Sequence, residues 1–222
     1  MKLKEGSLRL YAVTDRSWAP DTAGLLKQVE EAIAGGATMV QLREKHLGDD
    51  AFLEEAKQFV ALCRRCGVLS IINDNAEIAV KSGADGVHVG QEDLEAGRVR
   101  AMLGPDKIIG VSAHNVEEAL AAQAAGADYL GVGAAFVTGT KAEAKPIPRE
   151  MFRSITDTVN IPVVAIGGIT RENILELQNC GLDGVAVVSA IFAQEDVKAA
   201  AEELLGLAGE ICRQAAPEPR KA

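Results

Sequence analysis

The chain has 222 residues, 48% of them hydrophobic, and a formal net charge of -9 from 32 acidic and 23 basic residues. Its length suits one α/β barrel of ~200 to 250 residues, although two compact domains of ~100 residues each would also fit. The acidic surplus and the aromatic content of 4% argue against nucleic acid as a partner, because nucleic-acid-binding surfaces are usually basic and carry stacking rings. An anionic small molecule is still compatible, since it needs only local cations and backbone amides.

The sequence predicts neither a membrane-spanning helix nor a signal peptide. No apolar run reaches the ~18 residues that a span requires, and the first residues lack a long apolar core and a cleavage site. We therefore expect a cytoplasmic protein without a membrane partner. Cys63 and Cys66 form a lone C-x-x-C within a helical pattern, which favours ordinary reduced thiols over a metal or redox site.

Short β-branched runs alternate with helical patterns along the whole chain. The eight predicted strands are Arg9–Val13, Thr38–Leu42, Leu69–Ile72, Gly86–Val89, Lys107–Val111, Tyr129–Val132, Pro162–Ile166 and Gly184–Val188. Helices are predicted at Asp21–Ala34 from its apolar spacing, at Asn115–Ala125 from its N-cap and first-turn glutamates, and at Asp196–Leu207. This alternation indicates βαβ units and a parallel sheet.

An internal repeat favours a closed (β/α)8 TIM barrel over an open doubly wound sheet. Four glycine-containing turns precede predicted strands, namely Gly35-Gly36-Ala37, Gly83-Ala84-Asp85-Gly86, Gly126-Ala127-Asp128 and Gly181-Leu182-Asp183-Gly184. Glycine commonly ends a helix because it tolerates positive φ. We predict one barrel domain over residues 1–208 and a polar, frayed tail over residues 209–222.

Polar residues follow nearly every predicted strand, at the end of the barrel where such folds place their active sites. They include Gln41, Arg43, Glu44 and Lys45 after strand 2, Asn73 and Asp74 after strand 3, His88, Gln91 and Asp93 at strand 4, Ser112 and His114 after strand 5, and Thr138, Thr140 and Lys141 after strand 6. Any one of them could belong to an ordinary solvated loop, but their recurrence predicts a site.

The segments after strands 7 and 8 predict a phosphate site. Gly167 and Gly168 follow an apolar strand and are expected to lead into a helix, and Val188-Ser189 repeats that arrangement. Glycines permit close backbone approach and helix N-termini bind anions, although two ordinary turns remain the alternative.

Two aspartates and three cations predict a site for a metal-bound diphosphate. Asp74 and Asp93 follow adjacent strands and could bind Mg2+, or each could cap the next helix. Arg43, Lys45 and Lys141 supply positive charge on neighbouring loops. His88, His114 and Trp18 are weaker candidates, and the spacing contains neither a Ser/His/Asp triad nor a phosphate-binding P-loop.

With these residues in order, the chain closely resembles the thiamine phosphate synthase family from Leu10 to about Leu207. The motifs that carry the resemblance are Tyr11-Ala12-Val13-Thr14-Asp15, Val40-Gln41-Leu42-Arg43-Glu44-Lys45, Ile72-Asn73-Asp74, Gly86-Val87-His88-Val89-Gly90-Gln91-Glu92-Asp93, Ile109-Gly110-Val111-Ser112, Asp128-Tyr129-Leu130-Gly131-Val132-Gly133, Thr138-Gly139-Thr140-Lys141 and Ala165-Ile166-Gly167-Gly168-Ile169. The chain departs from the usual pattern at Ala113, Ala134 and Ala135, which concerns the shape of the segment after strand 6.

The resemblance implies a transferase that joins an aminopyrimidine methyl diphosphate to a thiazole phosphate and releases diphosphate. It implies that Gln41, Arg43, Lys45, Asn73, Ser112 and Lys141 contact the pyrimidine diphosphate, that Asp74 and Asp93 bind one Mg2+, and that Thr138, Thr140, Gly168, Val188 and Ser189 hold the thiazole phosphate. Two alternatives remain: a thiazole tautomerase on the same barrel, with His114 as acid or base, and a non-catalytic sensor of phosphate ligands.

Overall fold

The computed structural model describes residues 3–90, 96–139 and 145–212, and they form a closed barrel of eight parallel strands. The strands are Leu10–Val13 (β1), Met39–Leu42 (β2), Leu69–Asn73 (β3), Gly86–Val89 (β4), Ile108–Ala113 (β5), Tyr129–Gly133 (β6), Val163–Ile166 (β7) and Gly184–Val187 (β8). Each pairs with the next, and β8 pairs with β1 through Leu10 opposite Val185. The predicted (β/α)8 barrel is confirmed.

One α-helix follows each of the first six strands, a 3-10 turn follows β7, and two helices follow β8. They are Thr22–Ala34 (α1), Asp49–Cys66 (α2), Ala76–Ser82 (α3), Ala96–Leu103 (α4), Val116–Ala124 (α5), Arg149–Thr158 (α6), Ser189–Phe192 (α7) and Val197–Ile211 (α8), with 3-10 turns at Arg16–Trp18 and Ile174–Leu177. None of the described helices is both long enough and apolar enough to cross a membrane.

Local sequence chemistry explains where these helices begin and end. The side chains of Asp21, Asn115 and Asp196 accept hydrogen bonds from the amides of Gly24, Glu118 and Ala199 and so cap α1, α5 and α8. In the four repeated turns, one glycine each has positive φ, between 71° and 99°. Each repeat therefore supplies the positive-φ glycine that was predicted between helix and strand.

Two expectations about helices are wrong. The closing helix continues past Leu207 to Ile211, because Ala208 and Ile211 still bury their side chains against the barrel. No helix starts directly after Gly167 and Gly168; the next helical residues are the short 3-10 turn Ile174–Leu177. Residues 213–222 of the predicted tail lie outside the described part of the chain.

The core has two layers that share the strands. One large cluster fills the space between strands and helices, and a smaller one, including Tyr11, Met39, Ile71, Tyr129 and Ala186, fills the barrel interior. This division follows from the two-residue alternation of side chains along a strand. At the barrel seam α1 packs on α8 so closely that a Cβ at Gly35 would stand 2.3 Å from the carbonyl oxygen of Lys198.

Candidate active site

The polar candidates gather at the carboxyl ends of the strands because they continue the inward-facing positions of the barrel. Gln41 lies two residues after Met39, Asn73 two after Ile71 and Val188 two after Ala186, all of which belong to the interior cluster. Ser112 holds the corresponding position four residues after Ile108. The alternation of a strand therefore directs these four side chains toward the barrel axis.

Two cations stand at the rim of this end, each paired with an aspartate. The guanidinium of Arg43 lies 2.8 Å from the carboxylate of Asp15, and Nζ of Lys45 lies 2.6 Å from Oδ2 of Asp74. Partial burial opposes ionisation of Asp15, but hydrogen bonds from Ser17 and the charge of Arg43 prevail and hold its pKa below the usual range. Positively and negatively charged side chains are therefore adjacent at this end of the barrel.

Asp74 pairs with Lys45 at the rim, and the N-cap of the following helix is Asn75. The φ of Asp74 is 61°, a left-handed value, and Asn75 caps α3 by accepting from the amide of Ile78. The capping alternative for Asp74 is therefore wrong. Its suggested metal partner Asp93 lies outside the described residues, as does Lys141, and the described part of the chain contains no group of three His, Cys, Asp or Glu side chains arranged for a metal.

A buried ion cluster fixes the loop that carries Arg43 and Lys45. Arg16 pairs with Glu44 at 2.8 Å and also with Glu55 of α2. The other oxygen of Glu44 accepts from the amides of Lys45 and His46 at 2.8 and 2.9 Å. Burial opposes ionisation of Glu44, but these amides and Arg16 hold its pKa below the usual value of 4.5. The loop after β2 is consequently anchored to its neighbours.

A row of hydrogen-bonded side chains lies directly beneath the rim, and the sequence predicted neither its connections nor a role for its two tyrosines. Gln41 contacts Tyr11, whose hydroxyl lies 2.8 Å from that of Tyr129. The Tyr129 hydroxyl lies 2.9 Å from Nδ1 of His88, and Nε2 of His88 lies 3.1 Å from Oγ of Ser112. Burial raises the pKa of both tyrosines, which stay protonated. The signal in the sequence was the pair Tyr11 and Tyr129, which stand at inward strand positions where the rest of the interior cluster is aliphatic or Met.

The phosphate loops approach each other through backbone contacts. Gly167 and Gly168 have φ values of 100° and 66°, and a Cβ at Gly168 would stand 2.4 Å from the carbonyl oxygen of Val137 after β6. The side-chain amide of Asn173 donates to the oxygen of Gly168 at 2.9 Å. This turn takes the place of the expected helix and holds the glycine backbone against the segment carrying Thr138.

The segment after β8 retains the predicted helix, although it is short. The hydrogen bonds of α7 begin with the amide of Ile191, so the amides of Ser189 and Ala190 lie outside the ladder of this helix. Val188 is half-buried and Ser189 is exposed beside Gly168's loop. Thr140, the remaining residue predicted for thiazole phosphate, lies outside the described residues.

Two weaker candidates have structural partners. Nδ1 of His114 lies 2.8 Å from Oε2 of Glu118, which also accepts from the backbone amide of His114 at 2.8 Å. This pair belongs to the start of α5. Trp18 packs against the core between strands and helices, and Gln28 donates to its carbonyl oxygen.

Comparisons with known proteins agree with the fold and indicate the family. A family model described as thiamine monophosphate synthase matches residues 10–191. The thiamine-phosphate synthases of Ruminiclostridium cellulolyticum and Methanobrevibacter smithii are 52% and 48% identical to this chain, over 88% and 89% of its length and 93% and 94% of theirs. The structure of a thiamine phosphate pyrophosphorylase from Pyrococcus furiosus is 40% identical, covers 93% of this chain and 98% of its own, and superposes with a TM-score of 0.85.

A more distant structure shares the barrel alone. A 3-hexulose-6-phosphate synthase superposes with a TM-score of 0.64 at 21% identity, covering 90% of this chain and 99% of its own. Since the family match covers most of the chain and the closely similar relatives span nearly their full length, this chain belongs to the thiamine monophosphate synthase family.

Proposed function

We propose that the protein is a transferase that makes thiamine phosphate. It joins 4-amino-2-methyl-5-(diphosphooxymethyl)pyrimidine to 4-methyl-5-(2-phosphooxyethyl)thiazole and releases diphosphate. The observation that carries this proposal is the arrangement of Gln41, Asn73 and Ser112 inside the barrel end with Arg43 and Lys45 at its rim, in a chain about 50% identical to named synthases. Both substrates carry phosphate charges that a lipid bilayer excludes, which favours a cytoplasmic enzyme.

The pyrimidine diphosphate fits the polarity of this end of the barrel. The uncharged polar side chains of Gln41, Asn73 and Ser112 suit the heteroatoms of the ring, while Arg43, Lys45 and Lys141 suit the diphosphate oxygens. The pairing of Lys45 with Asp74 holds the ammonium group at the rim before a ligand arrives. We therefore assign these six residues to the pyrimidine diphosphate.

The residues for the second substrate lie on the neighbouring loops. Positive-φ backbone at Gly168 and the amides at the start of α7 are compatible with a phosphate group. We assign the thiazole phosphate to Thr138, Thr140, Gly168, Val188 and Ser189. The reaction requires the thiazole nitrogen next to the carbon that loses diphosphate, and holding both substrates on neighbouring loops would supply much of the rate.

One Mg2+ is the expected cofactor, and the described residues fit it in part. Asp74 offers a hard carboxylate ligand beside Lys45, which we assign to the diphosphate. Asp93 would be the second ligand. When bound, Mg2+ would neutralise charge on the leaving diphosphate. Lys45 and Arg43 act on the same oxygens from the protein side.

The chemistry needs no strong general base. The amino group of the pyrimidine can donate electrons as the diphosphate leaves, and the thiazole nitrogen that attacks carries no proton to remove. The residues of the site therefore bind, orient and stabilise charge on the leaving group. This is consistent with the lack of a Ser/His/Asp pattern in the sequence and with the engagement of His114 by Glu118.

The decisive assay measures diphosphate release from the pyrimidine diphosphate with Mg2+, with and without thiazole phosphate, and identifies the product by mass. Thiazole-dependent release with formation of thiamine phosphate supports the synthase. Binding of thiazole phosphate without release would instead support the tautomerase or the sensor. Asp93→Ala should abolish turnover, whereas Asp157→Ala, an exposed aspartate on α6, should not; near-normal turnover of Asp93→Ala would remove the metal role.

A further inference from the structure

A continuous row of five side chains crosses the barrel interior and joins two residues that we assign to the pyrimidine. The row runs from Gln41 on β2 through Tyr11, Tyr129 and His88 to Ser112 on β5, and its hydrogen bonds are those described above. The three central members are at most 8% exposed. We call this row the interior relay.

Two glycines on neighbouring strands make room for the interior relay. A Cβ at Gly110 would stand 2.1 Å from Cζ of Tyr129 and 2.5 Å from Nδ1 of His88, and one at Gly131 would stand 3.0 Å from Cε1 of His88. Aliphatic side chains would fill this space without hydrogen-bonding requirements. Buried polar groups are costly unless every member is satisfied, so the row is a built feature of β4, β5 and β6.

The arrangement that uses both buried tyrosine protons within the interior relay runs in one direction. Each tyrosine has one proton to donate, and a neutral histidine carries a proton on one nitrogen only. With Nε2 of Gln41 donating to Tyr11, Tyr11 donates to Tyr129, Tyr129 donates to Nδ1 of His88, and Nε2 of His88 donates to Ser112. The opposite direction from Ser112 to Tyr11 would leave the buried Tyr11 proton without a partner in the row unless the Gln41 amide also turned.

The direction of the interior relay fixes what its Gln41 end offers to a ligand. The Gln41 amide nitrogen faces Tyr11, so the other atom of the amide, the acceptor Oε1, is the one offered to the site. At the other end Oγ of Ser112 accepts from His88. The Gln41 end therefore suits a hydrogen-bond donor on the ligand.

We propose that Tyr11, Tyr129 and His88 are positioning residues that set the hydrogen-bond polarity of the pyrimidine site and so select an aminopyrimidine. This rests on the proposed function. The exocyclic amino group donates to Gln41, and an oxo analogue would place an acceptor against that acceptor. Selection by an unmatched buried polar group is stronger than selection by shape.

The first test measures the tautomer of His88 by 15N NMR of the full-length protein without substrate. The chain has three histidines, and a His88→Asn variant identifies the signal. We expect a proton on Nε2 and none on Nδ1. A proton on Nδ1, or on both nitrogens, would overturn the assigned direction whatever reaction the protein catalyses.

The second test uses Tyr129→Phe, which keeps the ring and removes the hydroxyl in the middle of the row. We expect the KM for the pyrimidine diphosphate to rise about tenfold or more, as for loss of one buried hydrogen bond, with the KM for thiazole phosphate within about twofold. The preference for an aminopyrimidine alcohol over its oxo analogue in direct binding should fall by a similar factor. Tyr11→Phe should act alike, and the double variant should be little worse than either single one.

The matched control is Thr156→Val, which also removes a buried hydroxyl, one that donates to the carbonyl oxygen of Cys180 outside the site. It should lower thermal stability without changing either KM. If Tyr129→Phe behaves like this control, with unchanged KM and unchanged ring preference, the positioning role is refuted. If the wild type itself makes no thiamine phosphate, the proposed function fails, and the NMR and ring-binding measurements still decide whether the row has its assigned direction.

Discussion

Removal of the Lys45 ammonium tests whether its charge acts in catalysis or only in stability. Lys57 forms a matched ion pair away from the site and serves as the control. Lys45 lies 2.6 Å from Asp74 with its side chain 46% exposed, and Lys57 lies 2.6 Å from Glu54 with its side chain 47% exposed. The two ion pairs have the same separation and lysine exposure, but only the first stands at the carboxyl end of the barrel. Exposed pairs of this kind contribute roughly 0–1 kcal/mol to stability.

We therefore expect Lys45→Ala and Lys57→Ala to change the free energy of unfolding in urea by at most about 1 kcal/mol each. Only Lys45→Ala should lower kcat, by ~100- to 1000-fold, the usual effect of losing one group that stabilises charge in the transition state. Lys45→Arg should recover part of the loss because it restores the positive charge. Initial rates of diphosphate release at saturating substrates measure this effect.

Two results would contradict this reasoning. Turnover of Lys45→Ala within about threefold of the wild type would show that the leaving group does not depend on this ammonium. A loss of unfolding free energy much above ~1 kcal/mol would show that the pair with Asp74 carries structural weight that its exposure does not indicate.

Three further predictions concern the loops and the helices. Gly168→Ala should raise the KM for thiazole phosphate at least ~10-fold, because a Cβ there meets the Val137 carbonyl oxygen at 2.4 Å and must displace the loop backbone; an unchanged KM would argue against a phosphate at this loop. Glu44→Gln should destabilise the protein most above pH 4.5 and progressively less below it. The lowered pKa of Glu44 contributes stability that is lost as pH falls through the folded-state pKa. A pH-independent difference in unfolding free energy would refute this. An added Cβ at Gly206 in α8 meets nothing within 4 Å. Gly206→Ala should therefore stabilise the folded protein by ~0.5–1 kcal/mol and raise its Tm by a few degrees in calorimetry. A lower Tm would show that the helix surface is not open there.

The strands were predictable to within two residues at each end because the barrel repeats one local pattern eight times. An apolar run follows each of the four glycine-containing turns. The strand begins where the turn ends, as at Gly86 and Tyr129. The strand ends were less certain, since β5 continues to Ala113 through pairing of Ala113 with Val132. Only the neighbouring strand determines where such pairing stops.

The position of the polar candidates at one end of the barrel was predictable, and their contacts were less so. The end of each strand indicated Gln41, Asn73 and Ser112, because strand ends at one face of a barrel converge. The partnership of Tyr11 with Tyr129 joins residues 118 positions apart, which no local pattern encodes. The helix expected after Gly168 does not form there. The side chain of Asn173 donates to the Gly168 carbonyl oxygen instead, and the glycine pattern did not indicate this contact.

The closure of β8 onto β1 has a consequence for how the chain is made. Leu10 pairs with Val185, so one edge of the first strand gains its partner only after the intervening strands have been made. At ~5–20 residues per second, the nascent chain carries that open edge for roughly 10 to 35 seconds. An open strand edge can pair with other chains. The same seam that completes the barrel therefore leaves the first strand open to wrong pairing until β8 has been made.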